Sequence, residues 1–97
     1  MPVMVLLVGK AKADAVGRLK KALPTLFPDT RKYDGCRGIT AYMNADDGKT
    51  VVFLEDWETK AQYERYLAWR TETGVIADLV SMLEAPPSIR YFEQVDA

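Results

Sequence analysis

The stretch Thr50–Trp57, TVVFLEDW, decides the fold together with Val3–Val8, VMVLLV. Side chains of a strand alternate between its two faces, so each strand can be read as two sets of residues. In TVVFLEDW each set contains a pair of apolar residues, Val51 and Phe53 on one face and Val52 and Leu54 on the other. Val3–Val8 is apolar at every position. Strands that are apolar on both faces are typical of the middle of a sheet.

Between these two strands the pattern predicts one helix and one further strand. The helix is expected to begin near Asp14, to weaken at Pro24 and to be closed by Pro28, because proline removes a helical donor. Gly38–Asn44 alternates as a second strand. Asp46–Gly48 supplies turn residues between it and the third strand, which predicts a β-hairpin.

The second half of the chain predicts two helices and a last strand. Thr59 followed three residues later by glutamine has the form of a capping box, so a helix should run from there to about Thr71. Gly74 interrupts it, a third short helix ends before a Pro-Pro pair, and Ser88–Val95 is the last strand. The resulting order, β-α-β-β-α-(α)-β, is the split βαβ arrangement of ferredoxin-like folds. We therefore expect an α+β fold with a four-stranded antiparallel sheet, as one domain over residues 1–97.

Composition excludes several classes of protein. Ninety-seven residues, 48% of them hydrophobic, suffice for one small domain. A net charge of −1 lacks the basic excess of a nucleic-acid binder, so no nucleic-acid partner is expected. The longest aliphatic run, Val3–Val8, is far shorter than the ~18 residues that cross a membrane and does not resemble a secretory signal. We expect a cytoplasmic protein with no membrane association.

The sequence contains no histidine and only one cysteine, Cys36. This excludes Ser/His/Asp and Cys/His nucleophilic systems, imidazole-bound zinc or iron, and an internal disulfide. No metal site and no cofactor are expected. Any catalysis must use carboxylates, tyrosines, arginine or chemistry that resides in the substrate.

The width of the sheet predicts a homodimer. Four strands span roughly 19 Å, and helices about 10 Å across, packed side by side, cover only one such face. The second face of the two central strands is apolar and needs another cover. A second copy of the chain, related by a two-fold axis, supplies one.

If the partner closes that face, a small-molecule pocket must lie between the sheet and the helices. Trp57 ends the third strand, and the second helix carries a stripe at helical spacing: Tyr63, Tyr66, Leu67 and Arg70. Tyr42 on the second strand is a further aromatic candidate. Core packing is the alternative interpretation of these aromatic residues, and an exposed, ion-paired side chain is the alternative for Arg70.

Val51–Arg70, VVFLEDWETKAQYERYLAWR, resembles the strand, cap and aromatic helix of the antibiotic biosynthesis monooxygenase superfamily. The turn YDGC at Tyr33–Cys36 and the closing APPSIRYFEQV are also similar to that family. The resemblance covers nearly the whole chain and implies a dimeric α/β barrel.

One subgroup of that family oxidises polyketide anthrones to quinones without a cofactor. The resemblance assigns Trp57 and Tyr63 to catalytic positions of its pocket. Phe53 stands where the subgroup has asparagine, and Arg70 is a substitute for an arginine of its third helix. With Tyr42 and Tyr66, these two residues are the predicted substrate-binding set. Haem degradation is not expected. The haem-degrading branch of the family binds iron through a histidine, and this chain has Tyr66 or Leu67 at that position.

Two functions of different classes remain open. One is a cofactor-independent monooxygenase acting on a small phenolic, anthrone or quinol-type aromatic, with Tyr63, Glu55 or Asp56 handling the proton and the indole N–H of Trp57 holding the ring. The other is a dimer of the same fold that binds a small molecule without catalysis. For the acidic residues around Trp57, including Glu58, the alternative interpretation is a solvated strand end.

Overall fold

An antiparallel sheet of four strands carries three helices on one face in the computed structural model, which describes residues 2–97. In chain order the elements are β1 (Val3–Lys10), α1 (Val16–Lys32), β2 (Cys36–Met43), β3 (Thr50–Trp57), α2 (Lys60–Glu72), α3 (Val75–Ser81) and β4 (Ser88–Phe92). The strand order is β2-β3-β1-β4, so β1 and β3 lie in the middle, as expected. The α+β, ferredoxin-like fold is confirmed.

The pairing of β1 with β3 separates an inner face from an outer face. Leu7 lies opposite Phe53, and both are buried in the main core together with residues of α1, β2 and α3. Val5 lies opposite Glu55 on the same inner face. Because side chains alternate, the residues between them point away from the helices.

The outer face of the sheet is largely apolar at its centre. Its central side chains are Met4, Leu6 and Val8 from β1 and Val52 and Leu54 from β3. Met4 is 40% exposed, and the other four are half-buried within the sheet. No helix in the described part of the chain lies over these residues.

Helix α1 is longer than the sequence predicts. It begins at Val16 rather than near Asp14, and it continues through both Pro24 and Pro28 to end at Lys32. The expected closure at Pro28 is wrong because packing outweighs the local cost of proline: Phe27 is buried in the core, and so is Thr30 two residues beyond the second proline.

The strand ends also differ from prediction, and pairing explains each difference. β1 extends to Lys10 because β3 offers it a partner as far as Thr50. β2 begins at Cys36 after a register shift and ends at Met43. β4 stops at Phe92 instead of Val95, since Phe92 already pairs with Met4 near the start of β1.

Two turns hold the two ends of β3 in place, one at each end. The turn before β2 places Gly35 at a φ of 92°, where a side chain would meet Gln62, and its carbonyl accepts the amide of Glu58 at 2.8 Å. In the predicted β2–β3 hairpin, Asp47 accepts the amides of Lys49 and Thr50 and the hydroxyl of Thr50. These hydrogen bonds lower the pKa of Asp47 to about 2.

No helix in residues 2–97 is long and apolar enough to cross a membrane.

Candidate functional site

The end of β3 and the start of α2 bring six aromatic side chains together. Thr59 caps α2 by accepting a hydrogen bond from the amide of Gln62 at 3.2 Å, which confirms the predicted cap. The helix therefore begins at Lys60, shortly after Trp57 ends β3. The aromatic cluster consists of Tyr33, Trp57, Tyr63, Tyr66, Trp69 and Tyr91. Ring centroids of Trp57 lie 5.5 Å from Tyr63 and 5.0 Å from Tyr66.

A cavity of about 240 Å³ lies between the inner face of the sheet and the three helices, where the pocket was predicted. Most of its lining is aliphatic or aromatic. Its polar lining includes Thr30, Glu55, Tyr63, Tyr66 and Arg70. A mostly apolar cavity with a few convergent polar groups is typical of a small-molecule site.

Glu55 is a carboxylate on the apolar face of the sheet. It is only 3% exposed, and Trp57 donates its indole N–H to Glu55 Oε1 at 3.1 Å. Burial disfavours the charged form and raises the pKa of Glu55 to about 7, an effect that the Trp57 hydrogen bond partly opposes. The carboxyl group therefore exchanges its proton near neutral pH.

Trp57 adjoins the cavity rather than lining it. Its side chain is fully buried, and it packs against Tyr63 and Tyr66, which do line the cavity. The single hydrogen of the indole N–H is donated to Glu55. In this structure the indole N–H, which was expected to hold a substrate ring, is directed at Glu55.

The two tyrosines of α2 are buried and differ in their hydrogen bonds. The Tyr66 hydroxyl is 2.7 Å from Thr30 Oγ1 and accepts Arg70 Nε at 3.0 Å. The Tyr63 hydroxyl has no hydrogen-bond partner within residues 2–97. Burial raises the pKa of both phenols, so each stays protonated at neutral pH. Tyr63 is thus a free donor at the cavity wall.

Arg70 is neither exposed nor ion-paired, contrary to the alternative interpretation. It is 4% exposed, and its guanidinium donates to the Leu26 carbonyl at 2.7 Å and to Thr30 Oγ1 at 3.0 Å. The guanidinium also lies 4.6 Å from the ring centroid of Trp69. None of the carboxylates in the described chain pairs with it. The cavity wall therefore carries a buried positive charge that is solvated only by neutral groups.

The structure brings four of the six predicted site residues to the cavity: Phe53, Tyr63, Tyr66 and Arg70. Trp57 lies directly behind them. Tyr42 is not brought there, because it pairs with Val52 on the outer face and is 55% exposed. Of the residues on β4, Tyr91 shares the inner face with Tyr63 at 5.8 Å between ring centroids, whereas Phe92 lies on the outer face.

Two buried polar residues of the cavity lie outside the six predicted site residues: Glu55, which the sequence offers only as one of three candidates for handling the proton, and Thr30, which it does not offer. Glu55 is buried rather than part of a solvated strand end, although Asp56 and Glu58 are exposed as that interpretation requires. Glu55 lies two residues from both Phe53 and Trp57 on a central strand. Because side chains alternate, this spacing alone places its carboxylate on the inner face. Thr30 has no such signal, because its role depends on the packing of α1 against α2.

Within residues 2–97 no group of three or more metal-ligating side chains lies close enough together to hold a metal ion. The buried polar groups of the cavity include the Glu55 carboxylate, the Tyr63 hydroxyl and the Arg70 cation.

Residues 2–71 match the family model for antibiotic biosynthesis monooxygenase. The fold is similar to Rv0793 from Mycobacterium tuberculosis, with 24% identity, a TM-score of 0.86, and coverage of 100% of this chain and 98% of that one. A Deinococcus radiodurans protein, proposed to be an antibiotic biosynthesis monooxygenase, is 22% identical with a TM-score of 0.82 and coverage of 98% and 94%. A conserved protein from Methanosarcina mazei Go1 is 16% identical with a TM-score of 0.88 and the same coverages. None of the curated proteins matches this chain.

The raised pKa of Glu55 predicts how stability depends on pH. A carboxyl group that binds its proton more tightly when folded stabilises the fold at low pH. That stabilisation is lost as pH rises from the ordinary pKa of 4.5 through about 7. Over this window the free energy of unfolding should fall by about 3 kcal/mol. Glu55→Gln should remove this decline and be more stable than the unmodified protein at pH 8, as measured by urea denaturation.

The matched control is Glu58→Gln, which changes an exposed carboxylate three residues away. It should keep the decline. Parallel stability curves for Glu55→Gln and the unmodified protein would contradict a carboxyl group with a raised pKa.

Proposed function

The chain belongs to the antibiotic biosynthesis monooxygenase family, and on that premise we propose that it is a cofactor-independent monooxygenase acting on a small phenolic, anthrone- or quinol-type aromatic. We take residues 1–97 as one catalytic domain, since the solved relatives cover nearly its whole length. The observation that carries the proposal is the apolar cavity between sheet and helices, into which a few polar groups converge.

The size and lining of the cavity support a flat aromatic substrate. Its volume of about 240 Å³ is slightly below the ~300–1,000 Å³ range of small-molecule sites, which favours a compact ligand. Phe53 and Phe27 line it with rings perpendicular to each other, their centroids 5.2 Å apart. An aromatic ring can pack against either of them and exclude water from the reacting atoms.

The chemistry resides mainly in the substrate. Loss of a proton from an anthrone methylene leaves its electron pair on the ring system, and this carbanion can reduce dioxygen. The methylene becomes a carbonyl with one oxygen atom, and the other oxygen atom leaves as water with the two methylene hydrogens. The protein has to bind, orient and deprotonate the substrate and exclude bulk solvent.

Arg70 is the group best suited to hold the substrate oxygen. Deprotonation of a phenol or an anthrone places negative charge on an oxygen atom, and a buried guanidinium stabilises such a charge more than it stabilises the neutral ligand. Nε and Nη2 are occupied by Tyr66, Leu26 and Thr30, whereas Nη1 has no hydrogen-bond partner among residues 2–97. We therefore assign Nη1 to the oxygen of the anion.

Binding without catalysis is the second candidate function, and the predominantly apolar lining favours it. The two functions differ in their products. A binding protein retains its aromatic ligand unchanged in air, whereas a monooxygenase releases the quinone and consumes dioxygen.

We also propose a homodimer in which the outer faces of two sheets pack together. Five apolar side chains occupy the centre of that face without a cover from the described chain. A patch of this kind on both central strands is an association surface, and the same surface on each copy makes the contact two-fold symmetric.

The oxidation is tested by oxygen uptake with purified, metal-free protein and a panel of anthrones and hydroquinones. We expect uptake above the buffer blank and formation of the quinone. Arg70→Met should lower kcat/KM by about ten- to a hundredfold, because a charge-assisted hydrogen bond is lost. Arg65→Met removes an exposed arginine of the same helix and should leave the rate unchanged. Rates equal to the blank across the panel would contradict the monooxygenase, and ligand retention without product would favour binding alone.

The dimer is tested by light scattering after size-exclusion chromatography. The unmodified protein should have twice the 10.9 kDa mass of the chain at micromolar concentration. Val52→Asp places a charge in the centre of the outer face and should give aggregated or unfolded protein, because exposure of the remaining apolar face to water costs free energy. Ala61→Asp, on an exposed position of α2, is the matched control and should behave as the unmodified protein. A well-folded monomer of the unmodified protein would contradict the proposal.

A further inference from the structure

We infer that Glu55 is the proton acceptor of the reaction and that Trp57 is its positioning residue, an inference that rests on the function proposed above. Glu55 lines the same cavity as Tyr63 and Arg70, and the indole N–H of Trp57 holds one of its two oxygens. The structure thus assigns the proton transfer to one carboxylate among the three groups that the sequence left open.

The geometry of the carboxylate suits this task. Oε1 accepts the Trp57 N–H at 3.1 Å, whereas Oε2 accepts no hydrogen bond from residues 2–97. Because Trp57 is itself fully buried against Tyr63 and Tyr66, it has little freedom to release Oε1. One oxygen is therefore fixed, and the other is free of hydrogen bonds to the described residues on a side chain that lines the cavity. A general base needs this combination of a defined orientation and a free lone pair.

The other titratable groups around Glu55 do not accept a proton at neutral pH. From α2, Tyr63 and Tyr66 face it, and burial raises the pKa of both phenols; Tyr91 on β4 is raised in the same way. Arg70 is a cation with no lone pair to offer. Cys36 on β2 also has a raised pKa and does not line the cavity.

The remaining elements add one further acid. Helix α1 lines the cavity with aliphatic side chains, Phe27 and two threonines, and so contributes no titratable group. Asp78 of α3 lines the cavity but is exposed, so water solvates its carboxylate. Asp56, the third candidate from the sequence, points to the outer face, where it pairs with Arg37 at 3.6 Å. Among residues 2–97, Glu55 alone is a buried carboxylate that lines the cavity.

The step can be written with its atoms balanced. A C–H bond of an anthrone methylene breaks, its proton goes to Glu55 Oε2, and its electron pair remains on the substrate as a delocalised carbanion. Negative charge moves from the carboxylate to the substrate oxygen, which the Arg70 guanidinium stabilises. Dioxygen, the oxidant of the proposed function, then reacts with the carbanion. The resulting peroxide loses the second methylene hydrogen as its O–O bond breaks, which leaves the carbonyl, and the product water carries away that hydrogen together with the proton held by Glu55.

The test separates proton removal from oxidation by excluding dioxygen. Anthrone is incubated with the protein in D₂O under argon, and exchange of its methylene hydrogens is followed by NMR. The unmodified protein should accelerate exchange, with a rate that rises with pH and a midpoint near 7, because the base must be ionised. Glu55→Gln should lower the rate by about a hundredfold or more. Glu58→Gln, the exposed neighbour, should exchange at the unmodified rate.

Trp57→Phe tests the positioning role without altering the cavity lining. Loss of the indole donor removes the one contact that lowers the pKa of Glu55, so the midpoint of the exchange profile should move to higher pH. A merely structural tryptophan would change the rate but not the midpoint. If Glu55→Gln fails to fold, the role of Glu55 is judged from this shift and from the pH dependence of exchange by the unmodified protein. An exchange rate that does not change within about one pH unit on either side of 7 overturns the proposal.

The outcomes distinguish this inference from the function on which it rests. Exchange by Glu55→Gln at the unmodified rate overturns the role of Glu55, while oxygen uptake by the same variant leaves the monooxygenase in place. Exchange without oxygen uptake by the unmodified protein supports Glu55 and contradicts the oxidation. Absence of accelerated exchange by the unmodified protein overturns the role of Glu55 outright.

Discussion

The alternation of side chains along β3 is the constraint on which the rest of the structure depends. One set of residues, from Val51 to Trp57 in steps of two, faces the helices, and the other set faces away. The first set supplies residues of the core and of the cavity wall, together with the Glu55 carboxylate and the Trp57 indole. The second supplies apolar surface that the described chain does not cover. A shift of one residue in the β1–β3 register would exchange the two sets and abolish both surfaces.

The cavity places opposite charges at separate points of an apolar space. Glu55 reaches it from the sheet and Arg70 from α2, and no ion pair joins them. Each group is held by neutral donors or acceptors, an arrangement that costs folding free energy compared with apolar residues of the same volume. The same arrangement is suited to a ligand that gives up a proton at one point and gains charge at another, because both groups are oriented before the ligand arrives.

The sequence was sufficient for the topology and for four of the residues that line the cavity. Both central strands, the hairpin, the Thr59 cap and the break at Gly74 follow from patterns with a physical cause, and the structure confirms them. Residues that depend on distant packing were harder to predict. Helix α1 passes through Pro28 because Phe27 and Thr30 are buried, which no local rule indicates.

The candidate site shows the same division between local pattern and tertiary packing. The stripe of α2 faces inward as its helical spacing predicts. Tyr42 lies on the outer face because its partner on β3 is Val52, a register that the sequence of β2 alone does not reveal. Glu55 could have been assigned from alternation, whereas the hydrogen bond that turns Trp57 toward it required the folded chain.

The most direct measurement is the titration of the Glu55 side-chain carboxyl by NMR, with ¹³C-labelled glutamate and the resonance assigned from the Glu55→Gln spectrum. We expect a midpoint near pH 7 in the ligand-free protein, with the Trp57 indole N–H resonance shifting over the same range. A midpoint at or below the ordinary value of 4.5 would show that water or a cation reaches the carboxylate, and it would contradict a buried proton acceptor in this cavity.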